Sequence, residues 1–240
     1  MITRLKDLWQ QAFGDSRESV NAFFATAYAP ERSAVISLDN QPAAALYWMD
    51  YTWRSKKLAY LYAVATEESY RGQGYGKKLM EKTHKLLKEQ GYAGAVLVPA
   101  EEKLVRWYEK QGYQTFYYAK KQIVAAGVDT QVTEISAEQY DALRREMKPD
   151  APQPGKAVYD YFATYGSFYQ AQECIFAASR QEDKVYFQEF LGDMQKLPDI
   201  LGGLNAQSGV VCLPDEDTTF AMYYPLTETK MPDYFSFALD

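Results

Sequence analysis

The stretch Val64-Ala-Thr-Glu-Glu-Ser-Tyr-Arg-Gly-Gln-Gly-Tyr-Gly-Lys-Lys-Leu-Met80 constrains this chain more than any other. The apolar run Leu58 to Thr66 ahead of it reads as a strand. A helix follows, with Leu79, Met80, Thr83, Leu86 and Leu87 on one face. Between them Gly72, Gly74 and Gly76 alternate with Gln73 and Tyr75. Glycines placed so let the backbone approach a ligand closely and turn its N–H groups toward it. The first turn of a helix adds unpaired donors and the positive end of its dipole. The segment is therefore a cradle for phosphate, bracketed by the charges of Arg71 and Lys77.

Two common glycine loops are excluded. The dinucleotide fingerprint G-x-G-x-x-G is not matched, and no acidic residue ends a following strand at the expected distance; a dinucleotide-dependent oxidoreductase is disfavoured on that ground. The Walker pattern is missing too. Arg71-Gly-Gln-Gly-Tyr-Gly76 instead resembles the acyl-CoA pyrophosphate loop of the GNAT superfamily of N-acyltransferases, Arg/Gln-x-x-Gly-x-Gly/Ala. The lead-in Val64-Ala-Thr resembles that family's fourth strand. Arg106-Trp-Tyr-Glu-Lys-Gln-Gly-Tyr113 resembles its Leu-Tyr-Glu-Lys-x-Gly-Phe segment, in the right order along the chain.

The resemblance implies a function and assigns parts of it. The chain would be an N-acetyltransferase moving an acetyl group from acetyl-CoA, its co-substrate, to a primary amine of a small molecule, peptide or protein by direct attack in a ternary complex. Backbone groups of Val64, Ala65 and Thr66 would pair with the pantetheine arm, and one N–H there would polarise the thioester carbonyl. Arg71, Gly72, Gln73, Gly74, Tyr75, Gly76 and Lys77 would hold the pyrophosphate. Tyr108 would protonate the departing sulfur, a task that suits a group holding its proton at neutral pH; read from spacing alone it is a core aromatic beside Leu104 and Val105. Where many members have an Asn contacting the CoA arm, this chain has Glu101. The base is left open between Asp50, Glu101 and a water chain. The alternative function is a non-catalytic acyl-CoA-binding or regulatory protein.

Composition narrows the partners. Residues 1–124 carry 18 Lys/Arg against 13 Asp/Glu, and the remainder carries 8 against 19. A basic first half suits a polyphosphorylated ligand, and the acidic second half argues against nucleic acid. Those later carboxylates either draw a cationic acceptor to the site or form a solvated surface. The N-terminus lacks the apolar core of a signal peptide, and the uncharged run Ile200 to Pro214 is too short and glycine-rich to span a bilayer. Cys174 and Cys212 fall in predicted strands without paired spacing, which fits reduced thiols in the cytoplasm. With them and a single histidine, His84, read as a helix-surface residue, no metal site is expected. A monomer and a homodimer both remain open.

Read in order, residues 1–125 give a helix pair, three strands, the cradle helix, a strand, the Tyr108 helix, and two strands, Gln114–Tyr118 and Lys121–Ala125, as a hairpin. This is the GNAT order, and the resemblance implies that the helix pair walls the acceptor site. The expected fold is α/β (α+β): a mixed, mostly antiparallel sheet flanked by helices, with a second, smaller αβ unit over residues 126–240. In that half Lys156–Tyr169 reads as helical, Cys174–Ser179 and Val185–Leu191 as a hairpin, and Val210–Leu213 and Phe220–Tyr224 as separate strands. Hairpin, helix, strand, strand repeats the first half, which suggests a degenerate second GNAT-like unit. Only Gly192 and Asp193 stand where its cradle would lie, and a carboxylate there would repel a pyrophosphate.

Overall fold

A computed structural model describes residues 1–228 and 230–239. In chain order it contains α1 (Ile2–Phe13), α2 (Arg17–Thr26), β1 (Ser33–Leu38), β2 (Gln41–Trp53), β3 (Lys56–Thr66), α3 (Tyr75–Glu89), β4 (Gly94–Leu97), α4 (Glu102–Glu109) and β5 (Gln114–Ala125). There follow β6 (Thr133–Ile135), α5 (Ala137–Met147), β7 (Gln153–Pro154), α6 (Lys156–Phe162), β8 (Gly166–Ala171), β9 (Cys174–Gln181), β10 (Lys184–Leu191), α7 (Leu197–Gly203) and β11 (Ser208–Pro225). Two compact units form. The first takes Met1–Gln114, Pro154–Tyr161 and Met222–Met231; the second takes Thr115–Gln153, Phe162–Ala221 and Pro232–Asp240. Among the described residues no helix is long and apolar enough to cross a membrane.

In the first unit β1, β2 and β3 form an antiparallel meander. Asp39 and Asn40 turn the first hairpin with φ of 47° and 61°, a conformation that Asp and Asn tolerate better than most residues. α3 then carries the chain over the sheet, so that β4 lies parallel to β3. Met222–Pro225 of β11 adds an antiparallel strand on the far side of β4. One face of the sheet buries Leu46, Trp48, Ala59 and Leu61 against Leu79, Met80 and Leu87 of α3. On the other, Trp9 of α1 and Phe23 of α2 pack on Tyr47 and Tyr62. Each such side chain removed from water contributes roughly 1.5–3 kcal/mol, which holds the helices to the sheet.

The parallel contact between β3 and β4 is short. Leu58, Ala59 and Tyr60 pair with Gly94, Ala95 and Val96. β4 ends at Leu97, ahead of Pro99, while β3 runs on to Thr66. Within that extension the ladder with β2 slips: Tyr62 faces Tyr47 and Ala65 faces Ala45, so Ala63 and Val64 together oppose Leu46. Ala63 takes up the extra residue with φ of 50°. A left-handed alanine costs about 1–2 kcal/mol, and a bulge bends its strand and raises its twist.

The second unit repeats this plan without its glycines. β8, β9 and β10 form an antiparallel meander. α7 follows, and β11 begins parallel to β10, with Lys184, Val185 and Tyr186 paired to Ser208, Gly209 and Val210. β10 carries its own slip, since Phe187 faces Ala178 and Glu189 faces Ala177. Beyond it, Glu189 is buried and bound on both oxygens by Arg144, at 2.7 and 3.0 Å, with the hydroxyls of Tyr140 and Tyr234 donating at 2.7 and 3.1 Å. The remaining Arg144 nitrogen donates to Gln153 and to the Pro152 carbonyl.

Three expectations are corrected. Residues 114–125 are one strand lying on β11, not a hairpin, because no Gly, Asn or Pro interrupts Tyr118-Ala-Lys-Lys121. The helix from Lys156 stops at Phe162 and Gly166 opens β8; a Cβ at that glycine would lie 2.3 Å from the Phe162 ring, so the chain turns sharply there. Val210–Leu213 and Phe220–Tyr224 are parts of one strand, β11, since Pro214 has a φ that extended backbone accepts.

The Arg144–Glu189 pair is buried and hydrogen-bonded on both sides, so removing one partner strands the other. Arg144→Met is expected to lower unfolding free energy by about 3–5 kcal/mol, measured by urea denaturation, and Arg144→Met/Glu189→Leu to recover part of that loss. A single variant costing under about 1 kcal/mol would contradict this.

Candidate functional site: a cleft where strands three and four separate

The end of β3, the glycine loop, the first turn of α3 and one side of α4 line a cleft of about 470 Å³. Of the residues assigned from sequence, Val64, Thr66, Arg71, Gly72, Gly74, Tyr75, Gly76, Lys77 and Tyr108 line it. Ala65 does not, because alternation along β3 turns its side chain into the core, where it is 5% exposed. Gln73 also stays out of the lining: its amide donates to the Ser69 carbonyl at 2.8 Å and holds the loop.

The three glycines do different work. Gly72 and Gly74 have φ of 75° and 82°, and a Cβ built on either meets nothing within 4 Å. Their requirement is conformational, and the backbone they expose faces open space. Gly74 is the N-cap of α3, whose first amides have no acceptor within the helix. Gly76 is needed for packing, as a Cβ there would approach Trp107 of α4 to 3.2 Å. In the second unit, by contrast, a Cβ on Gly192 would strike the Cys174 sulfur at 2.5 Å, and Asp193 caps its own turn through Gln195. That backbone is packed, not presented.

The cleft is positively biased. The Arg71 guanidinium donates to the Thr66 carbonyl at 3.1 Å, which fixes it across the end of β3. Lys77 is exposed and 3.8 Å from Glu81 one turn on, a contact of little energy that leaves its ammonium mobile. Glu67 serves the loop by accepting from the backbone and hydroxyl of Ser69.

Tyr108 is 6% exposed on the cleft wall, with Trp107 edge-on at 4.9 Å and Tyr113 behind it at 5.7 Å between ring centroids. The two carboxylates considered as bases are elsewhere. Asp50 pairs with Arg32 at 3.5 Å and accepts from the Tyr92 hydroxyl, and Glu101 pairs with Lys103; neither lines the cleft.

Tyr70, Leu104 and Trp107 line the cleft without having been assigned to it. Trp107 lies within the Arg106–Tyr113 segment, and its place on the cleft follows from Gly76, on the other helix, against which it packs. The Ala63 bulge had no signal, since nothing in Tyr62-Ala-Val-Ala-Thr66 marks a left-handed residue.

His84 corrects the surface reading. It is half-buried, stacked on Tyr224 with centroids 3.8 Å apart and 8° between planes, and its Nε2 lies 3.0 Å from the Tyr113 hydroxyl. Its position on α3 among lysines concealed this, because the partners come from Gly112-Tyr113 and from the distant β11.

With this geometry in view, residues 1–116 match the family model of the acetyltransferase (GNAT) domain. The first half of the chain is thus a GNAT acetyltransferase domain, and an extension follows it. No curated protein matches the chain. Among solved structures, it resembles a GCN5-related N-acetyltransferase from Anabaena variabilis, with 16% identity, a TM-score of 0.67, and 94% of this chain and 70% of that one covered. A GCN5-related N-acetyltransferase from Kribbella flavida gives 13%, 0.66, 92% and 68%. A tandem GNAT protein from the clavulanic acid biosynthesis pathway gives 10%, 0.58, 95% and 96%. At such identities the likeness is one of fold, and it extends over both halves.

Burial lowers the pKa of His84 to about 4, against about 6.5 for a free imidazole. Between those values the unfolded chain binds a proton that the folded chain refuses, so His84 makes stability fall as pH drops from about 6.5 toward 4. The histidine resonance of the folded protein should titrate near pH 4, and His84→Phe should flatten this part of the stability profile. A midpoint near 6.5 would contradict the burial.

Proposed function

We propose that the chain is an acetyl-CoA-dependent N-acetyltransferase that uses the first-unit cleft, working in the cytoplasm on a primary amine of a small molecule or peptide. The observation that carries this reading is the convergence of two independent backbone devices on one space. The bulged end of β3 leaves β4 behind, and Gly72 and Gly74 open the loop amides toward the same cleft. A thioester with a long polar arm and a pyrophosphate suits such a site: the strand end pairs with amide groups of the arm, and the loop with phosphate.

On this reading each residue has a task. Arg71, Lys77 and the amides of Gly74 to Lys77 neutralise the pyrophosphate. An N–H of Val64 to Thr66 polarises the thioester carbonyl as the amine attacks, and Tyr108 donates its hydroxyl proton to the sulfur as the C–S bond breaks. With Asp50 and Glu101 engaged elsewhere, water leads from the amine and accepts its proton. Free Cys174 and Cys212 suit a reducing compartment. The second unit has no comparable glycine loop, so one donor site per chain is expected.

The test pairs binding with turnover. Gly74→Val should abolish acetyl-CoA binding by calorimetry, since a β-branched residue is strained at that φ and intrudes on the phosphate. Tyr108→Phe should bind acetyl-CoA as the wild type does, while thiol release with a reactive amine falls roughly 10²–10⁴-fold. Full acetyl-CoA affinity in Gly74→Val would remove the basis of the reading. Binding with no thiol release against a broad amine panel would favour a non-catalytic acyl-CoA-binding protein.

A further inference from the structure

Three elements meet at one point on the cleft. A Cβ built on Gly76, in the first turn of α3, lies 3.5 Å from the Thr66 hydroxyl at the end of β3. The same atom lies 3.2 and 3.7 Å from two carbons of the Trp107 indole on α4. Gly76 sits among the amides of Gly74 to Lys77, so the indole stands directly beside the phosphate end of the cleft. On its other side Trp107 meets the Tyr108 ring, with centroids 4.9 Å apart. Trp107 therefore bridges the wall from the glycine loop to Tyr108.

Core packing uses only part of this side chain. With Leu104 and Val105, Trp107 packs on the apolar cluster beneath α3 and α4. It nevertheless remains half-buried and lines the cleft together with Val64 and Leu104. The other three tryptophans, Trp9, Trp48 and Trp53, are at most 3% exposed. An indole that faces an open cleft keeps apolar surface in water, and a ligand that covers it removes that cost. Its surroundings restrict the ligand. Arg71, Lys77 and the unpaired amides of the first turn of α3 share the cleft with it. The site thus suits a molecule that is anionic at one point and apolar at the next. A sugar, with hydroxyls on the carbons that follow its phosphates, does not meet that requirement. The arm of CoA does: one methylene beyond its pyrophosphate comes a carbon bearing two methyl groups.

We propose that Trp107 is a donor-specificity residue that covers the dimethyl carbon of the CoA arm. This rests on the reading of the cleft as an acyl-CoA site, and it names the segment of the donor that the apolar wall selects. The loop holds the pyrophosphate, the end of β3 holds the amides farther along, and the indole holds the apolar segment that joins them. Trp107 touches no reacting atom, so it acts through binding and not through proton transfer. Two methyl groups moved from water onto an aromatic surface correspond to roughly tenfold in affinity.

Calorimetry with two ligands tests this. CoA carries the arm, and 3′-phospho-ADP ends at the pyrophosphate. Trp107→Ala should weaken CoA roughly tenfold and change the affinity for 3′-phospho-ADP less than about twofold. Trp107→Leu, which keeps apolar packing on the core, should show the same order with at least about a threefold loss for CoA, and it decides the matter where the alanine variant does not fold. Equal losses for both ligands would mean that the indole only supports the loop, and would overturn the proposal. An unchanged affinity for CoA would overturn it too. The wild type gives a second readout. Among the described residues Trp107 is the one tryptophan that is not buried, so quenching of fluorescence by acrylamide reports on it, and Trp107→Phe should remove the quenchable part. Saturating CoA should shield that part, and saturating 3′-phospho-ADP should not. Quenching unchanged by bound CoA, or shielding as complete with 3′-phospho-ADP, would contradict the contact with the arm. Failure of the wild type to bind CoA would instead defeat the reading of the cleft itself.

Discussion

The site depends on a parallel pairing that stops early. β3 and β4 share only the contacts from Leu58–Gly94 to Tyr60–Val96, after which β3 continues alone. Two features keep the strands from closing again. Met222–Pro225 holds β4 from the other side, and it comes so close that a Cβ on Gly94 would sit 2.3 Å from the Tyr223 ring. The slip at Ala63 interrupts the ladder with β2, which resumes at Ala65 and Thr66, and a bulge of this kind bends and twists its strand. Backbone polar groups cannot be left buried without partners, so a strand end released from one neighbour is stable only where water or a ligand can reach it. The cleft is the consequence of that requirement, and the glycine loop supplies its charged end.

The second unit shows what the same topology does when the opening is sealed. It has the meander, the helix, the parallel strand and the slip in the corresponding strand. After its slip comes Glu189 locked by Arg144, Tyr140 and Tyr234, and at its loop Gly192 is pressed on Cys174. A buried ion pair of this kind adds little net stability over an apolar core, and the packed Gly192 leaves no open backbone at the loop. The two units thus use one architecture for different ends, one presenting backbone and one burying it.

What could be read from the sequence follows the range of the interactions. The loop, its flanking strand and helix, and the Tyr108 helix are local patterns, and most of the residues that the resemblance assigned on them line the cleft. The turn at Asp39-Asn40 is local as well, set by two residue types that tolerate a positive φ. The bulge at Ala63 was invisible because an alanine carries no mark of its φ; the register across two strands imposes it. The continuity of β11 is hidden for the opposite reason, that Pro214 and the acidic residues Asp215 to Asp217 look like a break when no pairing partner is in view. His84 was misjudged because its environment is assembled from Tyr113 and Tyr224, far from it in sequence.

The central claim is that backbone amides at the end of β3 and at the start of α3 hold the acyl donor. Amide hydrogen exchange with and without CoA measures this directly. The account predicts slowed exchange confined to Val64–Thr66 and Gly72–Lys77, with Gly192–Lys196 in the second unit unchanged. Binding of CoA with no added protection at those amides, or with protection centred on the second unit, would contradict it.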